Sequence, residues 1–156
     1  MLQRIVRYCF AHGQHKPTGP IFAPSVQDKM IYINVYNDGE FERIPAYIGE
    51  SLLSALRRFR VTNIPGDCEG GEKLDSILED PVQTNTFGPS CGSCHILISS
   101  PWIEKIRDPF YLEEFVINRQ DYAVAKHSRL ACAIKLEKWM DEMEVSIPIN
   151  ENSENM

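Results

Sequence analysis

Two cysteines at C-x-x-C spacing, Cys91 and Cys94, run directly into an apolar stretch, "SCGSCHILIS". Two more stand apart from them, so that Cys68, Cys91, Cys94 and Cys132 are separated by 22, 2 and 37 residues. A C-x-x-C can serve as a redox dithiol, half a zinc site or half an iron–sulfur site. The redox dithiol sits between a strand and the start of a helix, whereas this one precedes a strand-like run. Structural zinc usually takes two close pairs, and here there are one pair and two singletons. Four thiolates divided between one loop and one distant position suit a 2Fe–2S cluster best, with a single iron or zinc ion as the alternative. Glycines at 66, 70, 71, 88 and 92 flank these positions, and loop N–H groups turned toward sulfur would stabilise its negative charge. His95 and His127 read as a strand residue and a local hydrogen-bonding residue, not as ligands. Trp102 and Trp139 read as packing groups.

The elements that must hold these cysteines follow from periodicity. In "KMIYINVYNDGEFERIP", Ile31, Ile33 and Val35 alternate with Tyr32, Asn34 and Tyr36, and "NDG" supplies a turn, which predicts a β-hairpin. "GESLLSALRRFRV" predicts a helix with Leu52, Leu53, Leu56 and Phe59 on one face and Ser51 near its cap. "NIPGDCEGG" is a loop, and the polar stretch "EKLDSILEDPVQTNTFG" allows one short helical turn over 74–78. "HILIS" predicts a strand. Residues 111–125 predict a helix with Leu112, Phe115 and Val116 facing inward, and "ACAIKL" and "MEVSIPI" predict two more strands. The order β-β-α, loop, β-α-β-β is that of an α+β domain, helices packed on a mixed sheet.

Charge is unevenly distributed. The net charge is -6, yet residues 1–27 carry Arg4, Arg7 and Lys16 and no acid, so every one of the 22 acids lies beyond them. An acidic body repels nucleic acid and fits a basic protein partner. No apolar run approaches the ~20 residues that span a bilayer, so membrane association is expected only through partners. In the N-terminal segment Leu2, Ile5, Val6, Cys9 and Phe10 recur at helical spacing with Arg4 and Arg7 off that face, the pattern of a mitochondrial targeting segment or a retained anchor. Cys9 is incidental to the metal chemistry. Residues 28–149 form the expected domain, and 150–156 a polar tail.

Five separated segments, in order, resemble the mitochondrial (adrenodoxin-type) 2Fe–2S ferredoxin family: "DKMIYINVYNDGEFERIPAYIGESLLSALRR", "GDCEGG", "SCGSCHILI", "HSRLAC" and "MDEMEVSIP". The resemblance implies a β-grasp ferredoxin fold with Cys68, Cys91, Cys94 and Cys132 as cluster ligands. Within it, "PWIEKIRDPFYLEEFVINRQDYAVAKHSRLAC" is similar to the ferredoxin-like accessory subunit of mitochondrial respiratory complex I of plants, algae and some protists. That subfamily bridges the matrix arm and the membrane arm bearing γ-carbonic-anhydrase-like subunits.

The chain departs from the family in two places. Family members have five residues between the first two cluster cysteines, and the 22 found here place a long insertion in the cluster loop. Its closure costs only ~1–2 kcal/mol, but it is expected to loosen the position of Cys68. The family's helix corresponding to 111–125 carries a row of acids that docks on basic reductases. Here Glu113 and Glu114 remain, followed by Ile117, Asn118, Arg119 and Gln120 before Asp121. An interrupted acidic row with apolar anchors at Trp102, Phe110, Tyr111, Ile77 and Phe87 favours permanent docking over transient encounter. The expectation is therefore a non-enzymatic iron–sulfur accessory subunit on the matrix side of the mitochondrial inner membrane. Glu113, Glu114, Trp102, Tyr111, Ile77 and Phe87 are its expected partner contacts. The alternative is a soluble one-electron carrier between a reductase and iron–sulfur assembly or monooxygenase systems.

Overall fold

The computed structural model describes residues 25–71, 88–121 and 123–148. Strand β1 (Met30–Asn37) buries Ile31, Ile33 and Val35 and turns its tyrosines outward. It pairs antiparallel with β2 (Glu40–Tyr47) in a register that sets Ile33 against Ile44 and Asn37 against Glu40. The link is a two-residue turn, Asp38-Gly39, with both φ values positive, whose twist matches that of the strands it joins. Helix α1 (Leu52–Arg58) starts at Ser51, whose hydroxyl accepts from the Ser54 N–H at 3.2 Å. It lays Leu52, Leu53, Ala55 and Leu56 on the sheet; each large side chain buried this way contributes roughly 1.5–3 kcal/mol.

Strand β3 (His95–Ile98), helix α2 (Trp102–Lys105), helix α3 (Tyr111–Asn118), β4 (Ser128–Leu130) and β5 (Met143–Ile147) are the remaining strands and α-helices among the described residues. The sheet order is β2-β1-β5-β3-β4, with β1 and β5 parallel and the other neighbours antiparallel. This mixed five-stranded sheet with a helix across it is the β-grasp arrangement of an α+β fold, as expected. Among the described residues no helix is long and apolar enough to cross a membrane.

Three local expectations fail for identifiable reasons. The stretch expected as a strand from 131 opens as a 3-10 turn, Ala131–Ala133, and β4 lies just before it. The alternation of Ile134 and Leu136 is real, since both are buried. Their backbone, however, bonds residues 49–52 (Leu52 N–H to Ile134 at 2.9 Å, Leu136 N–H to Glu50 at 2.9 Å) and not a sheet strand. The helix expected over 111–125 stops at Asn118, where Arg119 and Gln120 close it with i−3 bonds. Its buried face is Glu113, Val116 and Ile117, while Leu112 and Phe115 are exposed. The expected inward face was rotated because burial of an acid at 113 depends on a partner sixteen residues further along. Finally, α1 ends before Phe59, which is exposed. The short turn anticipated over 74–78 lies outside the described residues.

Candidate metal centre

Three segments converge at one end of the sheet: 66–71, 88–94 at the entry to β3, and the 3-10 turn after β4. They bring the four cysteines together as two pairs. The Cys91 thiol lies 3.2 Å from Cys68 Sγ, and Cys94 is hydrogen-bonded to Cys132. Cys94 is buried, and the other three are partly buried. Two thiol pairs are what a two-iron cluster asks for, since each iron takes two thiolates. The donor set fits the cluster.

The loop N–H groups favour the thiolate state at Cys68. At Cys68 burial opposes ionisation but is outweighed by N–H groups of Ser90, Cys91 and Gly70 and by the Cys91 thiol, and its pKa is lowered to about 7. The Ser90 N–H approaches Cys68 Sγ at 3.5 Å. The second pair shares a proton: the hydrogen bond from Cys132 holds the Cys94 pKa down, and the same bond, with burial, pushes Cys132 up. A lowered thiol pKa favours the metal-binding form. Gly70, at φ 71°, holds a left-handed conformation that strains any other residue, and a Cβ there would stand a tight 3.2 Å from the Cys132 Cβ.

The two ends of the insertion meet beside Cys68. A Cβ on Gly71 would lie 2.8 Å from the Gly88 carbonyl oxygen and 3.0 Å from its nitrogen, so the backbones flanking residues 72–87 touch. The Gly71 N–H also bonds the Cys68 carbonyl at 2.8 Å. The inserted residues thus leave and rejoin the cluster loop at one point.

Of the expected partner contacts, Glu113 is a correction. Its side chain is 0% exposed and accepts from Arg129 Nε at 2.8 Å, Arg129 Nη2 at 3.0 Å and the Leu130 N–H at 3.0 Å. Arg129 Nη1 donates to the Arg107 carbonyl at 2.8 Å. This ion pair locks α3 to β4 three residues before Cys132 and is unavailable to a partner. Glu114 is exposed, Tyr111 is 75% exposed, and Trp102 packs partly against the core. Ile77 and Phe87, like Cys9, lie outside the described residues. What the apolar side of α3 and the turn before it present is Phe110, Tyr111, Leu112 and Phe115, all exposed, with the Tyr111 and Phe115 rings 6.1 Å apart.

His95 and His127 are not brought into the thiol set: His95 Nε2 lies 2.8 Å from Ser128 Oγ, and His127 Nδ1 lies 3.0 Å from the Ile98 carbonyl. Trp139 is exposed and donates to Glu137 at 3.0 Å. One group at the site went unnoticed in the sequence. The Ser93 hydroxyl lies 3.1 Å from Cys91 Sγ and 3.4 Å from the Asp67 carboxylate. A hydroxyl inside a C-x-x-C is the only signal that pointed to it.

Comparison with known proteins agrees with this geometry. The 2Fe-2S iron-sulfur cluster binding domain family matches residues 35–137. A 2Fe-2S ferredoxin of Rickettsia conorii is 26% identical over 114 residues, covering 73% of this chain and 85% of that one. The mitochondrial adrenodoxin of Gallus gallus is 32% identical over 84 residues, 51% of this chain and 58% of that one. Among solved structures, the ferredoxin of Rhodopseudomonas palustris HaA2 superposes with a TM-score of 0.61 at 23% identity, covering 75% of this chain and 95% of that one. A reduced putidaredoxin variant of Pseudomonas putida gives 0.61 at 21% with the same coverage. The resident cofactor is a 2Fe–2S cluster, whose chemistry is the gain and loss of one electron. The paired thiols, the β-grasp sheet and the extent of the match together make this chain a member of the 2Fe–2S iron–sulfur cluster binding domain family.

Proposed function

We propose that this iron–sulfur protein works as a fixed accessory subunit of mitochondrial respiratory complex I. It bridges matrix-side subunits and γ-carbonic-anhydrase-like subunits at the inner membrane. Cys68 and Cys91 hold one iron, and Cys94 and Cys132 the other. The observation that carries the reading is the docking helix: Phe110, Tyr111, Leu112 and Phe115 are exposed on and beside α3, while Glu113 is withdrawn into a buried ion pair. Apolar groups give a contact its lifetime, whereas charge mainly speeds encounter. Trp102, Ile77 and Phe87 supply further apolar contact, and Glu114 a rim charge.

A second reading, a soluble mitochondrial ferredoxin, draws support from the complete thiol set and from relatives named as ferredoxins and adrenodoxins. Neither reading makes the chain an enzyme by itself. Native gels decide between them. As a subunit, the protein co-migrates with complex I, its depletion leaves the complex poorly assembled, and a ferredoxin reductase reduces it slowly with a shallow salt dependence. Recovery as a free, rapidly reduced matrix monomer sinks the subunit reading. Cys94→Ser abolishes the cluster in either case, and retention of full iron and sulfide by that variant sinks the ligand assignment.

A further inference from the structure

Beside the Cys68–Cys91 pair, one hydroxyl faces two acceptors. Ser93 precedes Cys94 in the chain, and its Oγ lies 3.1 Å from Cys91 Sγ and 3.4 Å from a carboxylate oxygen of Asp67. The Asp67 backbone N–H donates to the same Oγ at 3.4 Å. A hydroxyl has one proton to give and two lone pairs with which to accept. A cysteine that ligates iron is a thiolate and has no proton of its own, so in the loaded protein Ser93 is the donor to Cys91. The Asp67 N–H occupies the accepting side of the hydroxyl. Its single proton is then divided between the Cys91 sulfur and the Asp67 carboxylate.

The segments that carry these groups are held in place. The Gly66 carbonyl accepts the Glu69 N–H at 3.0 Å, and Glu69 pairs with Arg57 at 2.7 Å, which ties the turn bearing Asp67 to α1. Ser93 leads through the buried Cys94 directly into β3. We infer that Asp67 is a positioning residue for the cluster's electron exchange: its N–H aims the Ser93 hydroxyl, and its carboxylate competes with Cys91 for the hydroxyl proton and so holds the reduction potential down. The bland account is a loop staple in which Ser93 bonds Asp67 alone. It gives the sulfur no part, yet the contact to sulfur, the larger atom, is the shorter of the two.

The direction of the effect follows from charge. Gaining an electron makes the cluster more negative, and a hydrogen bond to a more negative acceptor is the stronger one. A hydroxyl proton given to Cys91 therefore favours the reduced state, and a proton held by Asp67 does not. Loss of the Ser93 hydroxyl lowers the potential, whereas loss of the Asp67 carboxylate raises it. The second effect runs through the first, apart from the bare charge of Asp67, which is exposed and screened by salt. Both belong to the cluster and its loop, whether the chain works as a fixed subunit or as a carrier.

The test is a spectroelectrochemical titration of the full-length, cluster-loaded protein at low salt and at ~1 M salt. Asp67→Ala removes the carboxylate and leaves the backbone N–H. It should raise the equilibrium constant for reduction about threefold, which is about 28 mV for one electron, and the rise should persist at high salt. In the Ser93→Ala background the same substitution should change that constant by less than about 1.3-fold at high salt. Ser93→Thr keeps the hydroxyl and should keep the threefold response. An equal rise with and without the hydroxyl, a rise that vanishes at high salt, no rise at all, or Ser93→Thr responding like Ser93→Ala each overturns the inference. The high-salt measurement on Asp67→Ala needs no Ser93 variant, so it decides even where Ser93→Ala loses its cluster.

Discussion

Replacing Glu113 by glutamine separates the buried reading of that residue from the docking one. In the fold its carboxylate is 0% exposed and takes three hydrogen bonds, two of them from an Arg129 side chain that is itself only 6% exposed. An amide of the same size keeps one acceptor but turns an NH2 toward a guanidinium that loses its counter-charge. Removing one partner of such a pair costs about 3–5 kcal/mol, because the remaining charge stays buried. For a domain of this size that is a fall in melting temperature of roughly 10–20 °C. An exposed docking glutamate would give less than about 0.5 kcal/mol. The assay is a thermal melt of cluster-loaded protein by circular dichroism and cluster absorbance at one fixed scan rate, since cluster loss makes unfolding irreversible. The fall should persist in high salt, where exposed pairs are screened and buried ones are not. The double variant E113L/R129M should recover part of the loss, retaining about 2 kcal/mol for the Arg107 carbonyl left without its donor and the Leu130 N–H left without its acceptor. If Glu113→Gln melts with the parent protein and only slows reductase encounter at low salt, the buried-pair argument is wrong.

Deleting residues 72–87 joins two backbones that already touch. The product should fold with full iron and sulfide content and gain about 1 kcal/mol from the shorter loop, while its yield in the assembled complex falls; loss of the cluster would show that the insertion supports Cys68 after all. Ser93→Ala removes the hydroxyl 3.1 Å from Cys91 Sγ and should lower the reduction potential by about 50 mV, since a hydrogen bond to sulfur favours the more negative state; an unchanged potential by spectroelectrochemistry refutes the contact. At Glu50 burial would raise the pKa but is outweighed by Arg58, so the carboxyl sits below its ordinary value of 4.5. A depressed carboxylate contributes stability that is whole above the unfolded value and is lost as pH falls through the folded one. Arg58→Ala should therefore flatten the acid side of the melting profile, by less than about 1 kcal/mol because Arg58 is more than a third exposed.

The sequence revealed what local rules determine. Alternation of Ile31, Ile33 and Val35 with a two-residue turn gave the hairpin, Ser51 before Leu52, Leu53 and Leu56 gave α1, and thiol chemistry with spacing gave the four cysteines. It concealed whatever depends on distant partners. Glu113 looks like any surface glutamate until Arg129, sixteen residues on, is folded beside it. The alternation at Ile134 and Leu136 is genuine burial, but no local signal says that its backbone bonds residues 49–52 instead of a strand. The insertion looked like slack in the cluster loop because the meeting of Gly71 with Gly88 is a tertiary fact.

The magnitudes bear on whether one docking face is enough. Aromatic side chains bury 150–250 Å² each, so the exposed parts of Phe110, Tyr111, Leu112 and Phe115 offer about 400 Å² of removable apolar surface. At about 25 cal/mol per Å² that is about 10 kcal/mol from this chain's side, with a similar contribution from the apolar partner surface that covers it. Association costs an estimated 4–15 kcal/mol before side-chain ordering. The α3 row therefore clears the cost of association with a surplus, as a lasting contact must. A carrier that has to release its partner after each electron gains nothing from such a surplus, whereas a fixed subunit depends on it.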